Sequence, residues 1–222
     1  EQRLRRAVNR ALASSGFVEV LTFPFGSDAD LDALGVPADD GRRRTVRLAN
    51  PLADTAPLMR TTMLPGLFAA VARNTSRGND DLALFEAGRV FLASAGGAAP
   101  MPLVAQRPSD AEIAALDAAL PEQPRMLAAV LTGDWTPAGW QGPAVAASWT
   151  HALRFADVVA SVLGLTLDRA ADERAPWHPG RCARLSVTAA GRTHVVGWAG
   201  ELHPSACKAF GLPARTSASE LD

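Results

Sequence analysis

The sequence predicts an α+β fold in which an antiparallel β-sheet is flanked by helices. Several segments repeat apolar residues at the spacing of an amphipathic helix, and others are short runs rich in β-branched and aromatic residues, as in strands. The last two of these runs are joined by a tight turn, which is typical of a hairpin between antiparallel strands. Strands that are joined by hairpins and interrupted by helices favour an α+β domain.

The composition is that of an ordinary globular protein. Of the 222 residues, 48% are hydrophobic, which is enough for a sizeable core. The net charge of −1 gives no electrostatic reason to expect that the chain wraps nucleic acid. No apolar run approaches the ~20 residues of a membrane helix, so we expect no membrane contact. The two cysteines, Cys182 and Cys207, are too few for a disulfide framework and suit a cytoplasmic protein.

The chain begins with a predicted helix and a predicted strand. Leu4, Val8 and Leu12 fall on one face of the helix, opposite several arginines, and Gly16 should end it. The segment Phe17–Phe25 is rich in β-branched and aromatic residues and predicts a strand. Its nearly continuous apolar character indicates burial on both faces.

The clearest helix of the chain follows the extended turn at Asn50-Pro51. Pro65 suits the first turn of a helix, where its missing N–H is not needed. The apolar face of this helix consists of Leu64, Leu67, Phe68, Val71 and Ala72. Just before it, Arg60 stands in an apolar strand end, Leu58–Thr62, and directs one cation toward the face of the sheet.

The middle of the chain predicts two strands around an insertion. Leu82–Phe91 and Arg125–Leu131 have the composition of strands. Between them, residues 93–124 form an insertion of loop and helix. Ser109 and Glu112 have the spacing of a capping box, which marks where that helix begins.

The last third predicts two helices and a hairpin. The elements are a helix from Trp149 to Leu163 ended by Gly164, strands at Ala183–Thr188 and Arg192–Glu201, and a helix from Pro204 to Phe210 ended by Gly211. The turn of the hairpin falls at Ala189-Ala190-Gly191. The sequence starts without methionine inside a helical pattern and stops at what resembles the start of a strand. We therefore expect a chain truncated at both ends.

Five segments, in this order, resemble the β subunit family of bacterial phenylalanyl-tRNA synthetases. They are GFVEVLTFPF (Gly16–Phe25), NPLADTAPLMRTTMLPGL (Asn50–Leu67), LALFEAGRVF (Leu82–Phe91), APWHPGRCARL (Ala175–Leu185) and VVGWAGELHP (Val195–Pro204). Together they cover nearly the whole chain. The resemblance implies that residues 1–222 form a single domain with the antiparallel fold of class II aminoacyl-tRNA synthetases.

The resemblance also implies a function. It predicts a non-catalytic domain that scaffolds the catalytic α subunit in an (αβ)₂ phenylalanine–tRNA ligase of the cytoplasm. The whole enzyme would use ATP and Mg²⁺ to join phenylalanine to its tRNA, while this domain would bind no cofactor of its own. The tRNA would be a partner through the whole complex.

A stand-alone adenylating domain is the first alternative. The resemblance implies one phosphate-binding arginine on a strand, which Arg60 or Arg89 fits by position, and a second on a late glycine-rich strand. That second arginine has no candidate, because Gly197–Gly200 is followed by Glu201. We therefore predict that Arg60 and Arg89 are structural arginines, paired with carboxylates such as Glu86 or with backbone carbonyls.

A zinc-dependent RNA-binding module is the second alternative. His178 with Cys182, and His203 with Cys207, repeat an H-P-x-x-C spacing, and zinc accepts two imidazoles and two thiolates. The second pair also has a simpler interpretation, in which His203 caps a helix and Cys207 is a small buried hydrophobe. We predict that both cysteines stay reduced and free of metal.

The first helix and the next strand are the predicted subunit interface. In class II folds the helix before the first long strand makes the dimer contact, so the resemblance places the interface here. The predicted interface residues are Leu4, Val8, Leu12, Phe17 and Val20. A subunit should leave part of this face open to its partner as an apolar patch.

Overall fold

The computed structural model describes residues 1–93, 101–103 and 105–222. Part of the predicted insertion, residues 94–100 and 104, lies outside the described residues. The helical part of the insertion is described, and it begins where the capping box predicts. The side-chain oxygen of Ser109 accepts from the backbone N–H of Glu112, whose carboxylate in turn accepts from the backbone N–H of Ser109.

The helices agree closely with the sequence pattern. They are α1 (Gln2–Ser14), α2 (Asp28–Ala33), α3 (Leu64–Thr75), α4 (Asp110–Ala119), α5 (Trp149–Leu163) and α6 (Pro204–Phe210), with a short 3₁₀ helix at Gly41–Arg43. Gly164 and Gly211 end α5 and α6 in the left-handed conformation, at φ of 67° and 64°. Within the described ranges, no helix combines the length and the apolar character needed to cross a membrane.

The strands of the described residues form one large sheet and two small ones. They are β1 (Val18–Glu19), β2 (Phe25–Gly26), β3 (Leu58–Met59), β4 (Leu82–Arg89), β5 (Arg125–Thr132), β6 (Asp134–Thr136), β7 (Val145–Ala146), β8 (Asp168–Ala171), β9 (Trp177–Ala189), β10 (Arg192–Leu202) and β11 (Ser217–Leu221). The large sheet has the order β1-β4-β5-β11-β10-β9-β8, and β2-β3 and β6-β7 pair separately.

The large sheet is mixed. Its neighbouring strands are antiparallel, as the sequence predicts, except that β1 runs parallel to β4. The parallel pair is possible because a long connection, which includes α2 and α3, returns the chain to the same end of the sheet. The α+β class is therefore confirmed, with one parallel pair added.

Helices cover both faces of the sheet. One core cluster contains the buried side chains of α3, together with residues of α2 and α6, and the other contains those of α1 and α5. Strand β5 contributes to both clusters in alternation. Ala128 and Val130 lie in the first, whereas Ala129 and Leu131 lie in the second. This alternation places β5 at the centre of the domain with both faces buried.

The predicted strand Phe17–Phe25 is interrupted. Its start forms β1 and its end forms β2, which belong to different sheets. The N–H of Val20 still donates to the carbonyl of Phe85 at 2.8 Å, and beyond it the chain leaves β4. Pro24, which has no N–H to donate, lies in the segment between the two strands. Farther along the chain, Arg47 forms only an isolated antiparallel bridge with Leu58.

Candidate functional site

The predicted interface face of α1 is mostly covered by the chain itself. Val8, Leu12 and Phe17 are buried and belong to the core cluster that includes α5. The ring of Phe17 meets that of Phe155 edge-on, with centroids 5.3 Å apart. This corrects the expectation that these three side chains form an open patch, because α5 already occupies the face. Leu4 is different, since 53% of it is exposed.

The strand segment after α1 carries exposed apolar side chains. Val18, Leu21 and Phe23 are 59%, 86% and 79% exposed, and we call these three residues the edge patch. Val20, also a predicted interface residue, is partly buried and packs against the other core cluster. Apolar side chains this exposed, and this close together in sequence, are unusual on a surface that faces only water.

Val18 of the edge patch lies on β1, where the large sheet ends, and Leu21 and Phe23 follow in the segment between β1 and β2. Strand β1 is the first in the sheet order, and among the described residues no strand pairs with its outer side. An open strand edge can pair with another chain, so natural proteins protect it with charges or cover it. Here the carboxylate of Glu19 accepts from the side-chain amide of Asn9 on α1, and this contact holds α1 against the strand.

Arg60 is at the centre of a buried cluster. Its Nη1 lies 3.0 Å from Oε1 of Glu86 and donates to the hydroxyl of Thr22 at 3.0 Å, while its Nε donates to the carbonyl of Arg89 at 2.9 Å. The hydroxyl of Thr22 donates to the other oxygen of Glu86 at 2.6 Å. The side chains of Arg60 and Glu86 are only 9% and 2% exposed. The predicted pairing of Arg60 with Glu86 is therefore present.

Gly88 makes room for this cluster. A Cβ at this position would lie 2.3 Å from Nη2 of Arg60 and 2.6 Å from Cε of Met63, which is closer than such atoms approach. Arg89, next in sequence, lies at the end of β4, and its Nη1 donates to the carbonyl of Gln123 at 2.5 Å. Nε and Nη1 of Arg60 are already used by oxygen atoms of the chain, which supports the expected structural role. The structural role of both arginines stays a prediction.

The histidines and cysteines are held by the fold in separate ways. The rings of His178 and His203 stack with centroids 6.1 Å apart, and Nδ1 of His203 accepts from the N–H of Ser205 as a cap of α6. Cys182 and Cys207 are buried, and burial raises the pKa of Cys182 to about 11 and also raises the pKa of Cys207. A raised pKa disfavours the thiolate that binds metals. In the described ranges, no three His, Cys, Asp or Glu side chains lie close enough together to hold a metal ion.

A cavity of about 520 Å³ opens on the sheet between the 3₁₀ helix and β10. The guanidinium of Arg42 is fixed at its wall, because it donates to both carboxylate oxygens of Asp40, at 3.0 and 2.9 Å, and to the carbonyl of Ala175 at 2.8 Å. These bonds from Arg42 hold the pKa of Asp40 at about 2. Arg174 lies flat in the same wall, with its guanidinium carbon 3.9 Å from the ring centre of Trp198.

Glu220, on the central strand β11, is a buried carboxyl that also lines this cavity. Its Oε1 accepts from the hydroxyl of Thr62 and from the backbone N–H of Met63, both at 2.7 Å. Met63 precedes the first residue of α3, so Glu220 fixes the start of that helix to the sheet. Burial raises the pKa of Glu220, although the two hydrogen bonds oppose the shift.

Sequence reasoning missed Arg174 and Glu220. Arg174 follows two acidic residues in a run that resembles a solvated loop. Glu220 belongs to the strand Ser217–Leu221, in which all five residues are buried. The usual alternation of buried and exposed residues along a strand therefore does not reveal that this carboxyl is buried. Arg174 and Glu220 line the same cavity because of the order of the strands in the sheet. The positions of the two residues in the sequence do not reveal that order.

Comparison with known proteins places the whole chain in one family. Residues 1–222 match the family model described as the phenylalanyl tRNA synthetase beta chain CLM domain. Similar relatives are the phenylalanine–tRNA ligase beta subunits of Cutibacterium acnes, Thermobifida fusca and Streptomyces avermitilis, with 55%, 52% and 50% identity. Each alignment covers 100% of this chain but only 26–27% of the relative. The chain thus spans about a quarter of the length of the relatives it matches.

A solved structure with the same fold is pyrrolysyl-tRNA synthetase from Desulfitobacterium hafniense. The match has a TM-score of 0.63 at 12% identity, and it covers 99% of this chain and 65% of that one. At such low identity the likeness concerns the fold alone. It confirms the class II synthetase fold that the family resemblance implies.

Proposed function

This chain belongs to the phenylalanyl-tRNA synthetase β chain CLM domain family, and we propose that it is a non-catalytic domain that docks against a catalytic α subunit. In this proposal the assembled (αβ)₂ ligase works in the cytoplasm and uses ATP and Mg²⁺ to join phenylalanine to tRNA. The domain itself supplies a rigid surface and not a reacting group. Residues 1–222 act as a single domain, since both core clusters lie on one sheet.

The exposed sheet edge is the observation that carries the proposal. Val18 on β1, with Leu21 and Phe23 just after it in the chain, exposes apolar surface, and the outer side of β1 has no partner strand in the described part of the chain. Burying a side chain of this kind fully contributes roughly 1.5–3 kcal/mol. A subunit interface typically removes ~2,000 Å² or more from water, and apolar anchors at its centre supply most of the binding energy. The edge patch has the character of such anchors.

The buried face of α1 changes how the interface must be tested. Replacing Val8 by Asp would place an unpaired charge in the core, so a failure to assemble would report unfolding and not a lost contact. Leu21 and Phe23 are free of this difficulty, because most of each side chain is already in water. Substitutions at Leu21 and Phe23 can therefore weaken docking without unfolding the domain.

The test is assembly of the Leu21→Asp, Phe23→Asp double variant with the α subunit. The full-length β subunit is co-expressed with a tagged α subunit, and complex formation is measured by affinity capture and size-exclusion chromatography. We expect at least a tenfold loss of complex, while the thermal unfolding of the variant stays within about 2 °C of the parent. The matched control is Leu52→Asp with Trp140→Asp, which changes two equally exposed apolar side chains elsewhere and should leave assembly intact.

Two results would refute the proposal. The first is normal assembly by the double variant at the edge patch, since this would remove the surface from the interface. The second is amino-acid-dependent ATP–pyrophosphate exchange by the 222-residue chain alone, abolished by Arg60→Ala, because that activity belongs to the adenylating alternative.

A further inference from the structure

Arg174 is a half-buried cation with no carboxylate at ion-pair distance among the described residues. Burial lowers its pKa and the nearby guanidinium of Arg42 acts in the same direction, and these two effects outweigh the opposing effect of the carboxyl groups of Asp40, Glu220 and Asp172. The surroundings of Arg174 therefore disfavour its positive charge, although an arginine side chain stays protonated in proteins. An anion placed at the guanidinium would relieve this unfavourable arrangement.

The guanidinium of Arg174 is also held in position. It stacks on the indole of Trp198, and that indole is fixed because its N–H donates to Oδ2 of Asp172 at 3.0 Å. Stacking occupies the flat face of a guanidinium and leaves its edge, which carries the N–H donors, available to a carboxylate or phosphate. A donor group held in this way loses little conformational freedom when it binds.

The cavity next to Arg174 has the size and lining of a small-molecule site. Its volume of about 520 Å³ falls within the ~300–1,000 Å³ that is usual for such sites. One wall is apolar and includes Leu92 and Met126, while the exposed Arg44 lies at the rim and supplies a second cation. Of the acidic residues in the lining, Asp40 is paired with Arg42 and the carboxyl of Glu220 is buried, while Asp222 is exposed.

We propose that this cavity binds a small organic anion, either a carboxylate or a phosphate ester, with an apolar body. Arg174 and Arg44 bind the charged group, and the apolar body packs on Leu92 and Met126. Since the cavity and the edge patch share no residue, the proposal is independent of docking to an α subunit. It assigns ligand binding to a domain for which no catalytic role is proposed.

The site can be tested with simple probes and the indole of Trp198 as reporter. The 222-residue chain is labelled with 5-fluorotryptophan, and the Trp198 resonance is assigned from the Trp198→Phe variant. The probes are 3-phenylpropionate, phenyl phosphate, inorganic phosphate and the neutral 3-phenylpropionamide. We expect a saturable shift of the Trp198 signal with at least one of the two aryl anions, and the responding probe identifies the ligand as a carboxylate or a phosphate ester.

Substitutions then separate binding at this site from binding elsewhere. Arg174→Gln should weaken the responding anion at least tenfold, which corresponds to ~1.4 kcal/mol, and Arg174→Lys should weaken it less because the charge remains. Arg192→Gln, at an exposed arginine in the turn region of the β9–β10 hairpin, is the matched control and should bind as the parent does. Leu92→Ala should weaken the aryl anions and leave inorganic phosphate unchanged.

Thermal unfolding of each variant establishes that it is folded before binding is measured. If Arg174→Gln does not fold, Arg44→Gln at the exposed rim replaces it, with a weakening of at least threefold expected. The proposal is overturned if neither aryl anion gives a saturable shift, or if folded Arg174→Gln binds as tightly as the parent. It is also overturned if the neutral amide binds as well as the carboxylate.

Discussion

Arg60→Met should destabilise the chain more than the loss of most other ion pairs, because it leaves the carboxylate of Glu86 buried without its cation. The two side chains are 9% and 2% exposed and their charged atoms lie 3.0 Å apart. Breaking such a buried pair on one side costs about 3–5 kcal/mol. Methionine preserves much of the side-chain volume, so the loss reflects charge and hydrogen bonds more than an empty space.

A double-mutant cycle identifies the cause. In a Glu86→Gln background no charge is stranded when Arg60 is removed, so Arg60→Met should cost roughly 1–3 kcal/mol less there than in the parent. The free energy of unfolding is measured by urea titration at 25 °C, followed by circular dichroism and tryptophan fluorescence. The control is Arg169→Met, which removes the cation of a half-exposed pair with Asp157 and should cost about 0–1 kcal/mol.

This reasoning is refuted if Arg60→Met costs no more than Arg169→Met, or if the effects of Arg60→Met and Glu86→Gln simply add. Either result would mean that the buried cluster contributes little to folding. The structural assignment of Arg60 would then lose its physical basis, and a role in ligand binding would have to be considered again.

Two further predictions concern carboxyl groups at the cavity. Burial raises the pKa of Glu220 above its usual 4.5, so the folded state binds the extra proton, and the stability from this group is lost as the pH rises through the raised pKa. Glu220→Gln keeps the acceptor for Thr62 and Met63, and it should therefore unfold at higher urea concentration than the parent at pH 8 and at a similar one near pH 4. The opposite sign applies to Asp40, whose pKa of about 2 lies below its usual 3.8, so its stabilising contribution is present above 3.8 and is lost as the pH falls toward 2. Asp40→Asn should cost about 2 kcal/mol at pH 7, and acid titration should show the difference shrinking below pH 4.

Local signals in the sequence predicted most of the helices and strands, but not which elements lie next to one another in the fold. Gly164 and Gly211 end their helices as predicted, because a left-handed residue at that position needs no side chain. Ala190 and Gly191 both have positive φ in the predicted hairpin turn. The segment Phe17–Phe25 was wrong as a continuous strand, because composition does not say how far a strand stays beside its partner.

The sequence predicted contacts of the candidate site only where two residues of opposite charge fell in predicted strand segments. Arg60 and Glu86 lie within predicted strand segments and have opposite charge, so their pairing followed from the pattern. The cover of the α1 face could not be predicted for a physical reason, since an apolar stripe requires a cover but does not reveal which element provides it. Val8 and Leu12 are covered by α5, which lies more than a hundred residues later in the sequence.

The position of β11 has a consequence for how the chain folds as it is synthesised. Among the described strands it is the last in sequence, yet it pairs with both β5 and β10 in the middle of the large sheet. Without residues 217–221, β1-β4-β5 and β10-β9-β8 would be two half-sheets, each with an unpaired inner edge. Such edges invite pairing with other chains, so we expect a nascent chain to be prone to association until β11 is added.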